Sequence, residues 1–68
     1  MPNTQLLKQR LSEKGITQTA LAQIVGVAVP TICQKLNGTR PFTLEESEIV
    51  AKALDIPDGD FGKYFFAL

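Results

Sequence analysis

Apolar residues recur at helical spacing along most of this chain, and short polar or glycine-containing segments separate the runs. Leu7 and Leu11 lie one turn apart, and Leu21, Ala22 and Val25 share a face in the next run. The spacing predicts five helices, at about 4–14, 18–25, 30–37, 44–54 and 58–66. No segment has the pattern of a strand, so the predicted fold class is all-α.

The boundaries of these helices are marked by residues that favour helix ends. Thr17 is suited to an N-cap, and Gly26 tolerates the left-handed conformation that ends a helix. Pro30 fits a first turn, because its missing N–H removes no hydrogen bond there. Thr43 and Glu46 have the spacing of a capping box. These signals predict a compact cluster of five helices with short connections.

Length and composition restrict the class of protein. With 68 residues, the chain is expected to form one domain over residues 1–68. A single cysteine, Cys33, and no histidine argue against a disulfide framework, the usual zinc sites and Ser-His or Cys-His nucleophile pairs. No apolar run approaches the roughly 20 residues of a membrane span, and a lone cysteine fits a reducing compartment. We expect a cytoplasmic protein that is not an enzyme, with no metal, cofactor, membrane or small-molecule substrate.

The charges are balanced in number but not in position. Residues 1–40 contain five basic residues and one acidic residue, a net charge of +4, whereas residues 41–68 contain two basic and six acidic residues, a net charge of −4. Such asymmetry favours an anion-binding face in the first part of the chain. Ordinary scatter among fourteen charges is the alternative explanation.

The third predicted helix has a polar side without a carboxylate. At about 100° per residue, Val29, Ile32 and Leu36 form an apolar arc predicted to face the core, and Gln34 points the opposite way. A solvated helix face usually mixes acidic and basic residues. A face that enters a DNA groove must avoid carboxylates, because phosphates line both rims. This helix is therefore predicted to read DNA.

The side chains on and beside this polar face suit base edges. Gln34 can form paired hydrogen bonds with adenine, and Thr31 can touch a thymine methyl group. Pro30 and Val29 would make apolar or shape-fitting contacts at the end of the helix nearest the bases. We expect these four residues to read bases.

Residues on both sides of this helix are predicted to hold phosphates. Gln18 follows the N-cap of the second helix, where free N–H groups and the positive end of the helix dipole face outward. After the third helix, the segment NGTR offers backbone N–H groups, the Thr39 hydroxyl and the Arg40 guanidinium. Lys35 and Asn37 lie at the margins of the polar face and join this predicted set.

Each of these residues also has a purely structural interpretation. Gln34 taken alone fits a solvated side chain, and Arg40 can pair with Glu45 or Glu46 on the next helix. Cys33 lies beside the apolar arc and fits a small, half-buried core residue. Only the joint spacing of the residues indicates DNA binding.

The stretch TQTALAQIVGVAVPTICQKLNG, residues 17–38, resembles the helix-turn-helix of lambda-repressor and Cro-like phage regulators. The matching residues are Gln18, Leu21, Ala22, Val25, Gly26, Val27 and Ile32. KLNGTRPFTLEE resembles the phage and prophage members in particular, IVAKALDI resembles their fourth helix, and the resemblance covers about residues 5–57. Many relatives have an apolar residue at the position of Lys35 and a charged one at that of Leu36.

The resemblance implies a five-helix fold that binds operator DNA as a homodimer, with the recognition helix in the major groove. By position, it implies base reading at Val29, Pro30 and Gln34. It also implies phosphate binding at Gln18, Asn37, Thr39 and Arg40. The predicted function is a sequence-specific transcriptional regulator, a Cro-type or short repressor of a phage or prophage that acts by occupying a palindromic operator.

The end of the chain, FGKYFFAL, is unusually apolar. Phe61 and Phe65 are predicted to join the core, and Tyr64, Phe66 and Leu68 are candidates for a homodimer surface. The neutral charge and this tail leave an alternative function open. The chain could be a protein-interaction module with the same fold, such as an antirepressor or an antitoxin-like partner, that binds DNA weakly or not at all.

Overall fold

A computed structural model describes residues 2–66 and contains five α-helices, as the sequence predicts. They are α1 (Thr4–Lys14), α2 (Gln18–Val25), α3 (Val29–Leu36), α4 (Leu44–Ala53) and α5 (Phe61–Phe65), and a short 3-10 turn (Asp58–Asp60) precedes α5. No strand is found between residues 2 and 66. The all-α fold class is confirmed.

Three helices start at side-chain caps, and two of these caps, Thr17 and Thr43, are the ones that the sequence marks. The Asn3 side chain accepts a hydrogen bond from the Leu6 N–H, and the Thr17 hydroxyl accepts one from the Ala20 N–H. At the start of α4, the predicted capping box forms in both directions between Thr43 and Glu46. Each of these contacts spans three residues, so the sequence alone determines it.

The turn between α2 and α3 contains three residues, and the chain changes direction by 104° across it. This is the angle expected of a helix-turn-helix. Gly26 makes the turn possible with a left-handed φ of 86°, and its N–H donates to the Ala22 carbonyl. No single helix within residues 2–66 could cross a membrane. α2 and α3 have the length and composition for a span only when they are taken together across this bend.

The core lies between α1, α2, α3 and the α4–α5 segment. Its buried members come from every helix: Leu7, Leu11, Leu21, Ala22, Ile32, Leu36, Val50, Leu54, Ile56 and Phe65. Phe65 packs edge-on against Phe42, and Phe61 and Tyr64 are partly buried against the same cluster. The predicted core position of Phe65 is confirmed, and Phe61 lies at the core margin.

One predicted core residue does not face the core. Val29 is 39% exposed, whereas Ile32 and Leu36 are completely buried. Val29 is the first residue of α3, directly after the exposed turn residue Ala28, so the first turn of α3 extends beyond the buried cluster. The prediction that these side chains face the core is correct for Ile32 and Leu36 and wrong for Val29.

We predict that Gly26→Ala destabilises the fold by about 1–2 kcal/mol, because an L side chain is strained at this left-handed φ. An added Cβ at Gly26 meets no atom within 4 Å, so crowding contributes nothing. Gly59→Ala is the matched control, since that site is equally open and has no left-handed φ. Urea denaturation should leave the control within about 0.5 kcal/mol of the parent. Equal effects at both sites would contradict the role of the turn.

Candidate nucleic-acid interface

The polar side of α3 faces solvent. Pro30 and Gln34 are exposed, Thr31 is half-buried, and helical geometry places these three on one face. Val29 joins them from the exposed first turn. The α3 sequence VPTICQKL has no acidic residue. The four residues predicted to read bases are therefore all at least partly accessible.

Two helix starts lie beside this face, and both retain unused donors. Ala28 provides no side-chain cap to α3, and Pro30 removes one of the N–H groups that a cap would satisfy. In α2, Thr17 caps only the Ala20 N–H. Among residues 2–66, the backbone N–H groups of Gln18 and Thr19 have no protein partner. These are the donors that an anion at a helix start requires.

The start of α2 is tied to α3 by a side-chain contact. The Cys33 thiol donates to Gln18 Oε1 across 2.8 Å. With its oxygen engaged, the Gln18 amide retains its NH₂ group as a donor. Cys33 is half-buried, as predicted, but it also orients a residue predicted to bind phosphate.

The segment after α3 differs from the prediction in one respect. Its four backbone N–H groups close the end of α3. Asn37 donates to the Cys33 carbonyl and Gly38 to the Lys35 carbonyl, while Thr39 and Arg40 both donate to the Gln34 carbonyl. The expectation that these N–H groups bind phosphate is therefore wrong. The side chains of Asn37, Thr39 and Arg40 are exposed and still offer donors.

Arg40 contacts Gln34 and neither Glu45 nor Glu46. Its Nη1 atom lies 3.5 Å from Gln34 Oε1, which is long for a hydrogen bond. Such a weak contact leaves the guanidinium free to move to a phosphate. It also places a cation beside the main predicted base reader.

The structure contradicts the prediction that Lys35 binds phosphate. The residue is only 6% exposed, and its Nζ atom bonds to Glu46 Oε1 and to the Pro41 carbonyl. The Phe42 ring centroid lies 5.9 Å from the same atom. A buried and paired ammonium group cannot reach DNA. Lys35 therefore serves to attach α3 to α4.

Two further cations of the first forty residues are also engaged within the protein. Arg10 donates to the carbonyls of Leu54 and Asp55 at the end of α4, and Lys14 pairs with the Asp55 carboxylate at 2.9 Å. These contacts hold α1 against α4. The charge asymmetry of the sequence therefore overstates the positive charge available for DNA.

Lys8 is absent from the predicted set of DNA contacts, and the structure places it beside the end of α3. Its Nζ atom donates to Asn37 Oδ1 across 2.6 Å, at the end of α3. The two residues are separated by 29 positions, and no local signal links them. Only the packing of α1 against α3 brings them together.

The residues predicted to form a dimer surface differ in exposure, and their role stays a prediction. Phe66 is 58% exposed, Tyr64 is half-buried against the core, and Leu68 lies outside the described residues. Leu44, which is not among the predicted dimer residues, is 68% exposed. Phe66 lines a groove of about 140 Å³. Its lining is apolar apart from one serine and consists of Pro2, Pro41, Phe42, Ser47, Phe65 and Phe66.

Within residues 2–66, no three His, Cys, Asp or Glu side chains are placed to hold a metal ion.

A sequence model of a protein family described as helix-turn-helix matches residues 6–61. No curated protein and no solved structure matches the chain. The matched region includes all of α1 to α4 except the first two residues of α1.

We predict that Glu46→Gln destabilises the fold by about 3 kcal/mol, because it leaves the buried Lys35 cation without its counter-charge. Glu48→Gln is the matched control, since Glu48 is exposed on the same helix, and we expect a change within about 0.5 kcal/mol. Adding Lys35→Met to Glu46→Gln removes the orphan charge and should restore most of the stability in urea denaturation. If Glu46→Gln and Glu48→Gln behave alike, the ion pair does not hold α3.

The same pair predicts a dependence of stability on pH. The hydrogen bond from Lys35, followed by the one from the Thr43 N–H, lowers the pKa of Glu46 below 4.5. The stabilisation is complete above the unfolded-state pKa and is lost as the pH falls through the lower folded-state pKa. Glu46→Gln should therefore lose less stability than the parent below pH 4.5. Asp55 is exposed, and Lys14 lowers its pKa. The stability of the parent and that of Glu46→Gln should therefore share the smaller loss that comes from protonation of Asp55.

Proposed function

The chain belongs to the lambda-repressor/Cro-like helix-turn-helix family of DNA-binding regulators, and we propose that it is a Cro-type repressor of a phage or prophage. It binds a palindromic operator as a homodimer. The observation that carries this proposal is the accessible side of α3, with Pro30 and Gln34 exposed and no carboxylate in the helix. A surface of this chemistry fits between two rows of phosphates.

In the proposed complex, α3 lies in the major groove. Gln34 reads an adenine through its amide, Thr31 contributes a hydroxyl, and Val29 and Pro30 contact thymine methyl groups or fit the groove wall. Gln34 is the only side chain of this set that can form two parallel hydrogen bonds with one base. It therefore contributes most of the direct discrimination.

Phosphate contacts on either side of α3 set its position. At the start of α2, the Gln18 side chain and the free N–H groups of Gln18 and Thr19 face one strand. At the end of α3, the side chains of Asn37, Thr39 and Arg40 hold the other. Lys35 is excluded from this set by its burial. Such contacts fix the register of the protein but carry no sequence information.

Repression by this protein requires only that it occupy the operator. A dimer seated on an operator that overlaps a promoter would block polymerase, so no catalytic group is needed. The site of action is the nucleoid in the bacterial cytoplasm.

The proposed dimer uses the apolar surface formed by Leu44, Phe66 and the groove beside them. Leu44 lies one helical turn before Ser47, which lines the groove, so the side chain and the groove are adjacent. A two-fold contact brings the same patch of each copy together. Because Pro41 and Phe42 belong to the segment that joins α3 to α4, this contact would set the spacing of the two recognition helices.

One observation favours the alternative function, a protein-interaction module with weak DNA binding. Lys14 and Lys35 are paired with carboxylates and Arg10 is held by carbonyls at the end of α4, so fewer cations are available to contact phosphates. The salt dependence of binding distinguishes the two functions. DNA affinity should fall with a log–log slope of about −0.9 for each phosphate neutralised, whereas apolar association should hardly respond.

The experiment for the proposed function starts from duplexes that the protein selects from a random DNA pool. We expect two symmetric half-sites separated by about one helical turn. On such a duplex, Gln34→Ala should cost about 1–3 kcal/mol, and it should cost little on unselected DNA. Arg40→Ala is the comparison, and it should weaken both DNAs equally. Failure to enrich any sequence would contradict the proposal, and equal loss from Gln34→Ala on both DNAs would remove Gln34 from base reading.

A second prediction concerns the dimer. Leu44→Ser combined with Phe66→Ser should yield monomers in sedimentation and abolish joint occupation of two half-sites, because it removes the exposed apolar side chains of the proposed interface. Ile24→Ser is the matched control, since Ile24 is an exposed apolar residue on α2. Dissociation by Ile24→Ser alone would place the interface elsewhere.

A further inference from the structure

We propose that Lys8, on α1, is a phosphate-binding residue and that it acts as a pair with Asn37 at the end of α3. This inference rests on the proposed function and extends its binding surface to a third helix. It assigns to Lys8 the electrostatic contact that the sequence had suggested for Lys35.

The charge of Lys8 is not neutralised within the described part of the protein. On the same helix, Lys14 is paired with the Asp55 carboxylate, and the Arg10 guanidinium keeps its charge but is held by two carbonyls at the end of α4. The partner of Lys8 is the neutral amide of Asn37, so the pair retains a full positive charge. Both residues are exposed. An accessible cation with a neutral partner is free to attract an anion.

The Lys8–Asn37 pair presents mainly donors to solvent. Because Asn37 Oδ1 already accepts the Lys8 bond, the pair offers the Asn37 NH₂ group and the remaining Lys8 N–H groups as donors. A phosphate offers only acceptors. The contact thus orients the Asn37 NH₂ group so that it can donate to a phosphate together with the Lys8 ammonium.

The position of the pair fits the DNA backbone beside α3. Asn37 follows Gln34 by three residues, so the pair is one helical turn from the proposed base reader. Arg40 approaches Gln34 at the same end of α3. In free protein, the negative end of the α3 dipole helps to hold the Lys8 cation in this place. Two cations then flank the end of the recognition helix, one from α1 and one from the following segment.

The test compares Lys8→Gln with Lys14→Gln on a mixed-sequence DNA duplex and on the selected operator. Both changes remove one positive charge from α1, so they alter the long-range field of the protein equally. We expect Lys8→Gln to flatten the log–log salt slope by about 0.9 and to weaken binding about fivefold to tenfold near 0.1 M salt on both DNAs. Lys14→Gln should leave the slope unchanged. Lys8→Arg should keep the slope of the parent, and thermal melting of each free variant controls for folding.

The outcomes separate this inference from the function on which it rests. If the parent binds DNA with a clear salt slope and Lys8→Gln keeps that slope, the Lys8 contact is refuted and the proposed function stands. The Lys8 contact is also refuted if Lys8→Gln lowers the melting temperature without changing the slope, because Lys8 then only stabilises the end of α3. If the parent binds neither DNA, the proposed function itself fails.

Discussion

The orientation of α3 depends on one buried charge pair, that of Lys35 with Glu46. The same carboxylate oxygen accepts the Lys35 ammonium and the Thr43 N–H, so a single group closes the capping box of α4 and holds the last turn of α3. The Pro41 carbonyl completes the surroundings of the cation. A buried ammonium that loses such partners is strongly destabilising. Rotation of α3 is therefore opposed both by this pair and by the buried Ile32 and Leu36.

This arrangement explains how a chain with no net charge can present a surface for DNA. Three cations of the first forty residues serve the fold, where they bind a carboxylate or the carbonyls at the end of α4. Most of the remaining donors at the interface are neutral: the amides of Gln18 and Asn37, the Thr39 hydroxyl and the open N–H groups of α2. Neutral donors give directional contacts but release no counterions. In the proposed complex, these directional contacts act together with the Lys8 and Arg40 cations to position the protein on DNA.

The sequence predicts those features that depend on neighbouring residues. Thr17, Gly26 and the Thr43–Glu46 box are local, and the structure has each of them as predicted. The predicted direction of Gln34 is correct for the same reason, since a helical period relates it to the buried Ile32 and Leu36. Periodicity predicts the direction of a side chain, but not how deeply it is buried.

The features that the sequence did not predict are the depth to which a side chain is buried and its contacts with residues distant in the sequence. Lys35 lies at the margin of the polar face by periodicity, and only the Glu46 carboxylate on the next helix makes its burial favourable. Val29 has the direction of a core residue, but the core does not extend to the first turn of α3. Lys8 meets Asn37 across 29 positions, which no pattern in one sequence reveals. In the proposed complex, these outcomes leave a reading surface that consists of the Gln34 amide, the Thr31 hydroxyl and two apolar side chains, Val29 and Pro30. Such a surface distinguishes thymine methyl groups and one adenine directly, and the remaining discrimination must come from the shape and deformability of the DNA.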